Sequence, residues 1–360
     1  MLLGELTATA RRLALVGLAK NTGKTVAMTT VLDELAARGR RAGVTSVGRD
    51  GEERDVLDER IVKPRIRLHP DSLVATTDLL LRTSGVEHAR ELETGLRTSL
   101  GRVVIARLPA GGAVEVAGPA SAHDVGAVTD AMLALGAEQV LIDGALDRRA
   151  GASPAFADGV VLSTGAALHR DLDEVVRRTR SAAELLRLPV ATAVGDAIRL
   201  DGRLALDGTD AEIAALLRAH PEASHIAVAG ALCEPFVEQV LRAARGRALT
   251  LVVADGTRVF LTRRSRDWYA RQGLTIAAQT PIDLRAITVN PLAPRSHRLD
   301  SPTLRRLVAE AVPGVPVLDV MDPGYPRTIS PMPREEPTPA KRPRAPRPGT
   351  SGCASRCASR

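Results

Sequence analysis

Residues Leu13–Thr30 read "LALVGLAKNTGKTVAMTT", and the fold turns on how this stretch is parsed. An apolar run ends in glycine, a short polar segment follows, and Gly23-Lys24-Thr25 opens an apolar-periodic stretch. A phosphate loop needs small residues that let backbone N–H groups turn around the anion. It also needs a lysine for the terminal phosphates and a hydroxyl for magnesium. A helix starting at that point turns its positive end toward the phosphate. Gly23, Lys24 and Thr25 supply these parts at a strand-to-helix junction, with Lys20, Asn21 and Thr22 completing the loop. The spacing is irregular. Four residues usually separate the two glycines, whereas five lie between Gly17 and Gly23, and Leu18 stands where the first glycine is usual.

Residues 13–17 predict a buried strand and Thr25–Ala37 a helix closed by Arg38-Gly39. "AGVTSVG" (42–48) predicts a second buried strand. Further along, "LVATTDLLLRTSG" (73–85) predicts a helix, and "RVVIARLPAGGAVEVAG" (102–118) a hairpin turning at Gly111-Gly112. The helix "DVGAVTDAMLALG" leads to the strand "QVLIDG", and "GVVLSTG" and "LPVATAV" flank a helix in 170–187. This alternation predicts an α/β fold: a P-loop NTPase with a mostly parallel, doubly wound sheet. It restarts after about residue 210 with "SHIAVAG", "ALTLVVAD", "LTIAAQ" and "RAITVNP", helices near 234–245, 264–272 and 302–312, and a closing "VPVLDV". The expected division is 1–205 for the nucleotide-binding domain and 206–321 for a further α/β segment, though one sheet running through fits the pattern equally well. Residues 322–360, rich in proline and arginine, form a basic tail expected to be disordered.

The chain has 360 residues, 44% of them hydrophobic but only 2% aromatic, so its core must be built from aliphatic side chains. Few aromatics also means few stacking platforms for single-stranded nucleic acid. The net charge of +7 is concentrated in the tail, where seven basic and two acidic residues lie from Met332 onward. A nucleic-acid partner is therefore not expected. Three cysteines, two of them in the tail repeat "CASRCASR", do not make a disulfide framework, and a reducing cytoplasm is the expected setting. The first residues do not read as a signal peptide, and no apolar stretch is long enough to span a membrane.

Phosphoryl transfer needs a carboxylate near the magnesium. Asp143, at the tip of "QVLIDG", is the first candidate, with a turn cap as its alternative. Asp50 and Glu52, in the charged loop "SVGRDGEERD", could hold magnesium or orient water, or simply be solvated. Lys20 is either a phosphate contact or a solvated loop lysine. It lies four residues before Lys24, not the five of dimerising ATPases, so no role across an interface is assigned and a homodimer is left open. The chain has two asparagines, Asn21 and Asn290, and neither sits in the Asn-Lys-x-Asp that reads guanine. ATP with Mg²⁺ is therefore the expected ligand. Asn290, in "TVNPLAP", either meets an adenine edge or caps the turn before Pro291.

"GLAKNTGKT", "TSVGRDGE", "LIDGALDRRAGASP", "DGVVLSTGAAL" and "ITVNPLAP" together resemble one family over roughly residues 12–320. It comprises the P-loop proteins encoded beside adenosylcobalamin-dependent lysine and ornithine aminomutases, described as reactivating-factor subunits. More distantly, loop and sheet are similar to dethiobiotin synthetase and to the accessory GTPase of molybdopterin-guanine dinucleotide synthesis. The resemblance implies an ATP-hydrolysing accessory protein that opens an aminomutase for cofactor exchange, working with a second ATPase subunit. It places Gly23, Lys24 and Thr25 on phosphate and magnesium, Asp143 on the metal, and Asp50 and Glu52 in a switch-like loop. The alternative is an ATP-dependent small-molecule ligase or kinase of the dethiobiotin-synthetase type.

Overall fold

The run Arg12–Gly17 becomes β1 because its apolar side chains alternate between two cores. Leu13 and Leu15 pack on one face of the sheet, Ala14 and Val16 on the other. Burying each leucine stabilises the fold by roughly 1.5–3 kcal/mol. The computed structural model describes residues 1–48, 65–144, 152–192, 197–200, 202–294 and 297–326. Asp50 and Glu52 lie outside these residues, as does nearly all of the tail.

The chain begins with α1 (Leu3–Thr7), β1, α2 (Lys24–Ala37) and β2 (Ala42–Ser46). After the charged loop come β3 (Ile66–Leu68), β4 (Ser72–Thr77), α3 (Asp78–Ser84), β5 (Ala89–Thr98), β6 (Gly101–Leu108) and β7 (Gly112–Val114). Then follow α4 (Ala122–Ala134), β8 (Gln139–Asp143), β9 (Gly159–Gly165) and α5 (Leu172–Leu186). A further run comprises β10 (Ile198–Leu200), α6 (Gly202–Asp207), α7 (Asp210–Ala219), β11 (His225–Val228), β12 (Leu232–Cys233) and α8 (Glu234–Ala244). It continues with β13 (Leu249–Val253), β14 (Val259–Phe260), α9 (Arg266–Arg271) and β15 (Leu274–Ala278). The last elements are β16 (Leu284–Asn290), α10 (Ser301–Ala311) and β17 (Val317–Leu318).

Nine strands form the principal sheet in the order β17-β16-β9-β1-β8-β2-β4-β6-β5. The pairings from β17 to β4 are parallel; β6 runs antiparallel to β4, and β5 to β6. The result is a mixed α/β fold with a mostly parallel sheet. Side chains of α4, α5 and α10 contribute to the core on one face, and those of α1, α2 and α3 to the core on the other. Covering both faces is what parallel sheets require. Between β9 and β16 the chain builds a second, four-stranded parallel sheet, β10-β11-β13-β15, with its own core. Residues 206–321 are thus shared between two sheets, since β16 and β17 belong to the first. Helix α5 serves both cores, with Leu186 in the first and Leu185 in the second.

Three local expectations are corrected. Residues 73–85 are not one helix: Ser72–Thr77 is a strand buried at every position, and the helix begins only at Asp78. The β-branched Val74, Thr76 and Thr77 suit the slot between β2 and β6. Nor is 102–118 a hairpin. The chain does turn at Gly111-Gly112, but β6 pairs with β4 and β5, while β7 pairs with β3. In addition, the described part of "LPVATAV", residues 188–192, makes an isolated bridge from Val190 to Ala278 in place of a strand.

The described chain ends against its beginning. Tyr325, placed with the tail in the sequence, is buried; its hydroxyl donates to Glu34 at 2.8 Å and accepts from the Leu3 N–H at 2.7 Å. In the second core, Glu234 at the start of α8 is 3% exposed and accepts from the N–H groups of Thr262, Arg263 and Arg264, each at 2.7 Å. The hydroxyls of Thr262 and Tyr269 add two more bonds at 2.7 and 3.0 Å. Burial alone would raise its pKa; these bonds outweigh burial and hold it at about 2. A depressed carboxyl stabilises the fold above its unfolded pKa and loses that contribution as pH falls toward the folded value. Glu234→Gln should cost about 3 kcal/mol at neutral pH and flatten the acid limb between pH 4.5 and 2. Urea titrations across that range test this, and parallel wild-type and variant curves would refute the assignment.

Candidate functional site

β1 delivers the chain to the carboxyl end of the sheet, the usual ligand end of open α/β sheets. Leu18 does not open the loop. Its N–H donates to the Ser163 carbonyl at 2.9 Å, carrying the bonding between β1 and β9 one residue further, and its side chain packs on the first core. The loop proper therefore starts at Ala19, which accounts for the long spacing between Gly17 and Gly23. Thr22 is buried, and its hydroxyl donates to the Ala19 carbonyl at 2.9 Å, closing a turn within the loop. Asn21 and Gly23 both have positive φ, 65° and 91°. At Gly23 a Cβ would also stand 3.2 Å from that of Asn290, so glycine suits the position on two counts. Gly23 caps α2, whose first-turn N–H groups have no acceptor within the helix.

Lys24, the first residue of α2, reaches back over the sheet. Its Nζ lies 2.5 Å from Oδ1 of Asp143 and also donates to the Gly144 carbonyl. The two side chains are only 14% and 30% exposed, so water screens their attraction weakly. Asp143 ends β8, and its backbone is fixed on both sides: its carbonyl accepts from Val47 at 3.0 Å, and the Gly144 N–H donates to Leu15 at 3.0 Å. The half-buried Thr25 follows Lys24. Asp143 at the end of β8 and Thr25 in the first turn of α2 are the residues that could hold a magnesium ion, which keeps several waters and takes phosphate oxygens as further ligands. The described residues hold no group of three or more His, Cys, Asp or Glu suited to a metal.

Asn290 ends β16, two strands away from β1, yet touches the loop. Its Nδ2 donates to the Asn21 carbonyl at 2.9 Å, while its Oδ1 accepts from the Leu292 N–H at 3.0 Å. The side chain is a strut holding Asn21 in its left-handed conformation. Beside it, Gly165 lets β9 pass very close to β16: a Cβ there would lie 2.0 Å from the Asn290 carbonyl oxygen. Lys20 and Asn21 border an open cavity between the loops after β9 and β16.

Lys20, Asn21, Thr22, Gly23, Lys24, Thr25, Asp143 and Asn290 thus lie on one end of the sheet, in or beside a single loop. Sequence reasoning did not single out Gly144, Ser163 or Gly165. The first two act through backbone carbonyls and carry no side-chain signal. Gly165 had one, since "STGAAL" repeats the strand-to-glycine pattern of β1. Among the described residues no helix is long and apolar enough to cross a membrane. No protein-family model, curated protein or solved structure gives a significant match to the chain.

Proposed function

We propose that the chain binds ATP with magnesium at the junction of β1 and α2, and hydrolyses it as an accessory protein that acts on another protein. One observation carries this reading: Lys24, at the head of α2, is held against a carboxylate that ends the neighbouring strand. An ammonium group paired in this way is poised to exchange one anion for another. On binding, Lys24 turns to the terminal phosphates, and the first-turn N–H groups of α2 face the same anion. Asp143, released from Lys24, and the Thr25 hydroxyl would hold the magnesium, which neutralises phosphate charge in transfer. Left-handed Asn21 and Gly23 give the loop the tight turns that a phosphate cradle needs.

The sequence phrases that run through these segments support a more specific role. The loop, the Asp143 strand and the ends of β9 and β16 are the stretches resembling aminomutase reactivating factors. We infer that a cobalamin-dependent aminomutase is the partner, together with a second ATPase subunit.

Lys24→Ala should lower ATP affinity about 100-fold, close to 3 kcal/mol, with the circular dichroism spectrum unchanged. Titration calorimetry on the full chain measures this, and wild-type affinity in the variant would remove the phosphate site. Asp143→Asn should lower magnesium-dependent hydrolysis by about tenfold or more while shifting nucleotide affinity by less than about threefold. Equal losses in both would deny Asp143 its metal role. Adding an adenosylcobalamin-dependent aminomutase should raise ATP turnover severalfold. Turnover on a small carboxylic acid alone, indifferent to the mutase, would favour the ligase reading.

A further inference from the structure

The chain has one Trp, two Tyr and three Phe. Four of these, Phe156, Phe236, Tyr269 and Tyr325, are buried. The other two lie close together in sequence: Phe260, at the end of β14, is 42% exposed, and Trp268, in α9, is half-buried. Arg263, Arg264 and Arg266 come between them, and the exposed Arg258 precedes Phe260 across the buried Val259. The outward face of β14 continues onto β12. Phe260 is in register with the part-exposed Cys233, as the buried Val259 is with the buried Leu232. β12 and β14 follow the carboxyl ends of β11 and β13, so this surface lies at one end of the second sheet. Helix α6, which follows β10 and packs on β12, adds the exposed Leu206.

That end is held still. Glu234, next to Cys233, binds the N–H groups of Thr262, Arg263 and Arg264 and so fixes the backbone that carries the arginines. The Arg264 guanidinium lies over the Trp268 ring, 4.9 Å from its centroid. The buried Asp255, just after β13, accepts from the buried Ser153 hydroxyl at 3.1 Å, which ties this end to the segment following Asp143. A surface fixed in advance loses little entropy on association.

Its charge and composition indicate what it takes. Four arginines and one aspartate lie from Arg258 to Trp268. Arg263 pairs with Glu238 at 2.9 Å and Arg266 with Asp267 at 3.2 Å; among the described residues Arg258 and Arg264 make no ion pair. The charge of Glu234 is turned inward on backbone groups. An aromatic ring among arginines is the composition of an interface anchor. The surplus positive charge complements acidic groups set around an apolar recess. The chain's own tail, with seven basic and two acidic residues from Met332 onward, has the same sign and would be repelled. Single-stranded nucleic acid needs a row of bare rings on which bases stack, whereas here one ring is exposed and the other lies under its own arginine.

We infer that this end of the second sheet is the surface on which the chain docks its protein partner, with Phe260 entering an apolar recess and Arg258, Arg263 and Arg264 facing acidic side chains around it. This rests on the accessory-protein reading above, and the test separates the two. Binding of the full chain to an immobilised adenosylcobalamin-dependent aminomutase holoenzyme is followed by interferometry, and ATP binding by titration calorimetry. Wild-type affinity for the mutase should fall as salt rises from about 50 to about 300 mM. Phe260→Ala and Arg264→Glu should each weaken it about tenfold or more, and Arg264→Glu should also flatten the salt dependence. ATP affinity should be the same in both variants as in the wild type. Arg305→Glu, at an exposed position on α10, should change mutase affinity less than about twofold. Wild-type mutase affinity in both Phe260→Ala and Arg264→Glu, or an equal loss in Arg305→Glu, would overturn this surface and spare the accessory-protein reading. Failure of the wild-type chain to bind the mutase would overturn the partner and the docking surface together, while the calorimetry judges the phosphate site separately. Binding of single-stranded RNA that both variants abolish, or a wild-type dimer that Phe260→Ala dissociates, would give the surface to nucleic acid or to a second copy of the chain and overturn the proposal.

Discussion

A strand covered on both faces and paired along both edges can meet a ligand only at its ends. β1 is in that position, between β8 and β9 and between two aliphatic cores. Parallel pairing then brings the carboxyl ends of several strands to one rim. Asp143 from β8, Ser163 from β9 and Asn290 from β16 all meet the loop that leaves β1. With few aromatic side chains available, this depends on close packing of Ala, Val, Leu and Ile, and it leaves almost no tolerance for misplacement of the central strand.

The loop's irregular spacing has a simple physical origin. Leu18 is spent on the ladder with β9, and Thr22 on a turn within the loop. What remains is a short arc from Ala19 to Gly23, fastened by Asn290 from outside. Fixing such an arc in advance would lower the entropy lost in the anion binding proposed here. The pair between Lys24 and Asp143 leaves neither of these largely buried charges unmatched.

Much of this was legible in the residues. Strands buried on both faces write themselves as apolar runs, which is why "LALVG", "QVLID", "GVVLSTG" and "AITVN" read correctly. Asp143 and the Gly-Lys-Thr stood out because each sits at the tip of such a run. β5 was not legible: "ARELETGLRT" lies at the sheet edge, largely exposed, and its charges hide any periodicity. β4 was misread because "LVATTDLLL" joins a strand to a helix with no glycine or proline between them, and only tertiary pairing marks the boundary. The glycines at 111 and 112 signalled a turn correctly, but a turn does not reveal which strands it brings together. The aspartate and glutamate at 50 and 52 lie outside the described residues, so their part in the site rests on the sequence.

The second sheet lies, in chain order, entirely between β9 and β16, which pair with each other. During synthesis β9 therefore emerges with one edge open, and its partner is made only after the whole intervening sheet. Closing that long parallel crossover is entropically slow, and an uncovered apolar edge is prone to adhesion while it waits. The inserted sheet has a core of its own on which to collapse first, which shortens the effective distance β16 must travel. The rim around the β1–α2 loop is therefore completed only after β16 has docked, since Asn290 cannot clasp the loop before then.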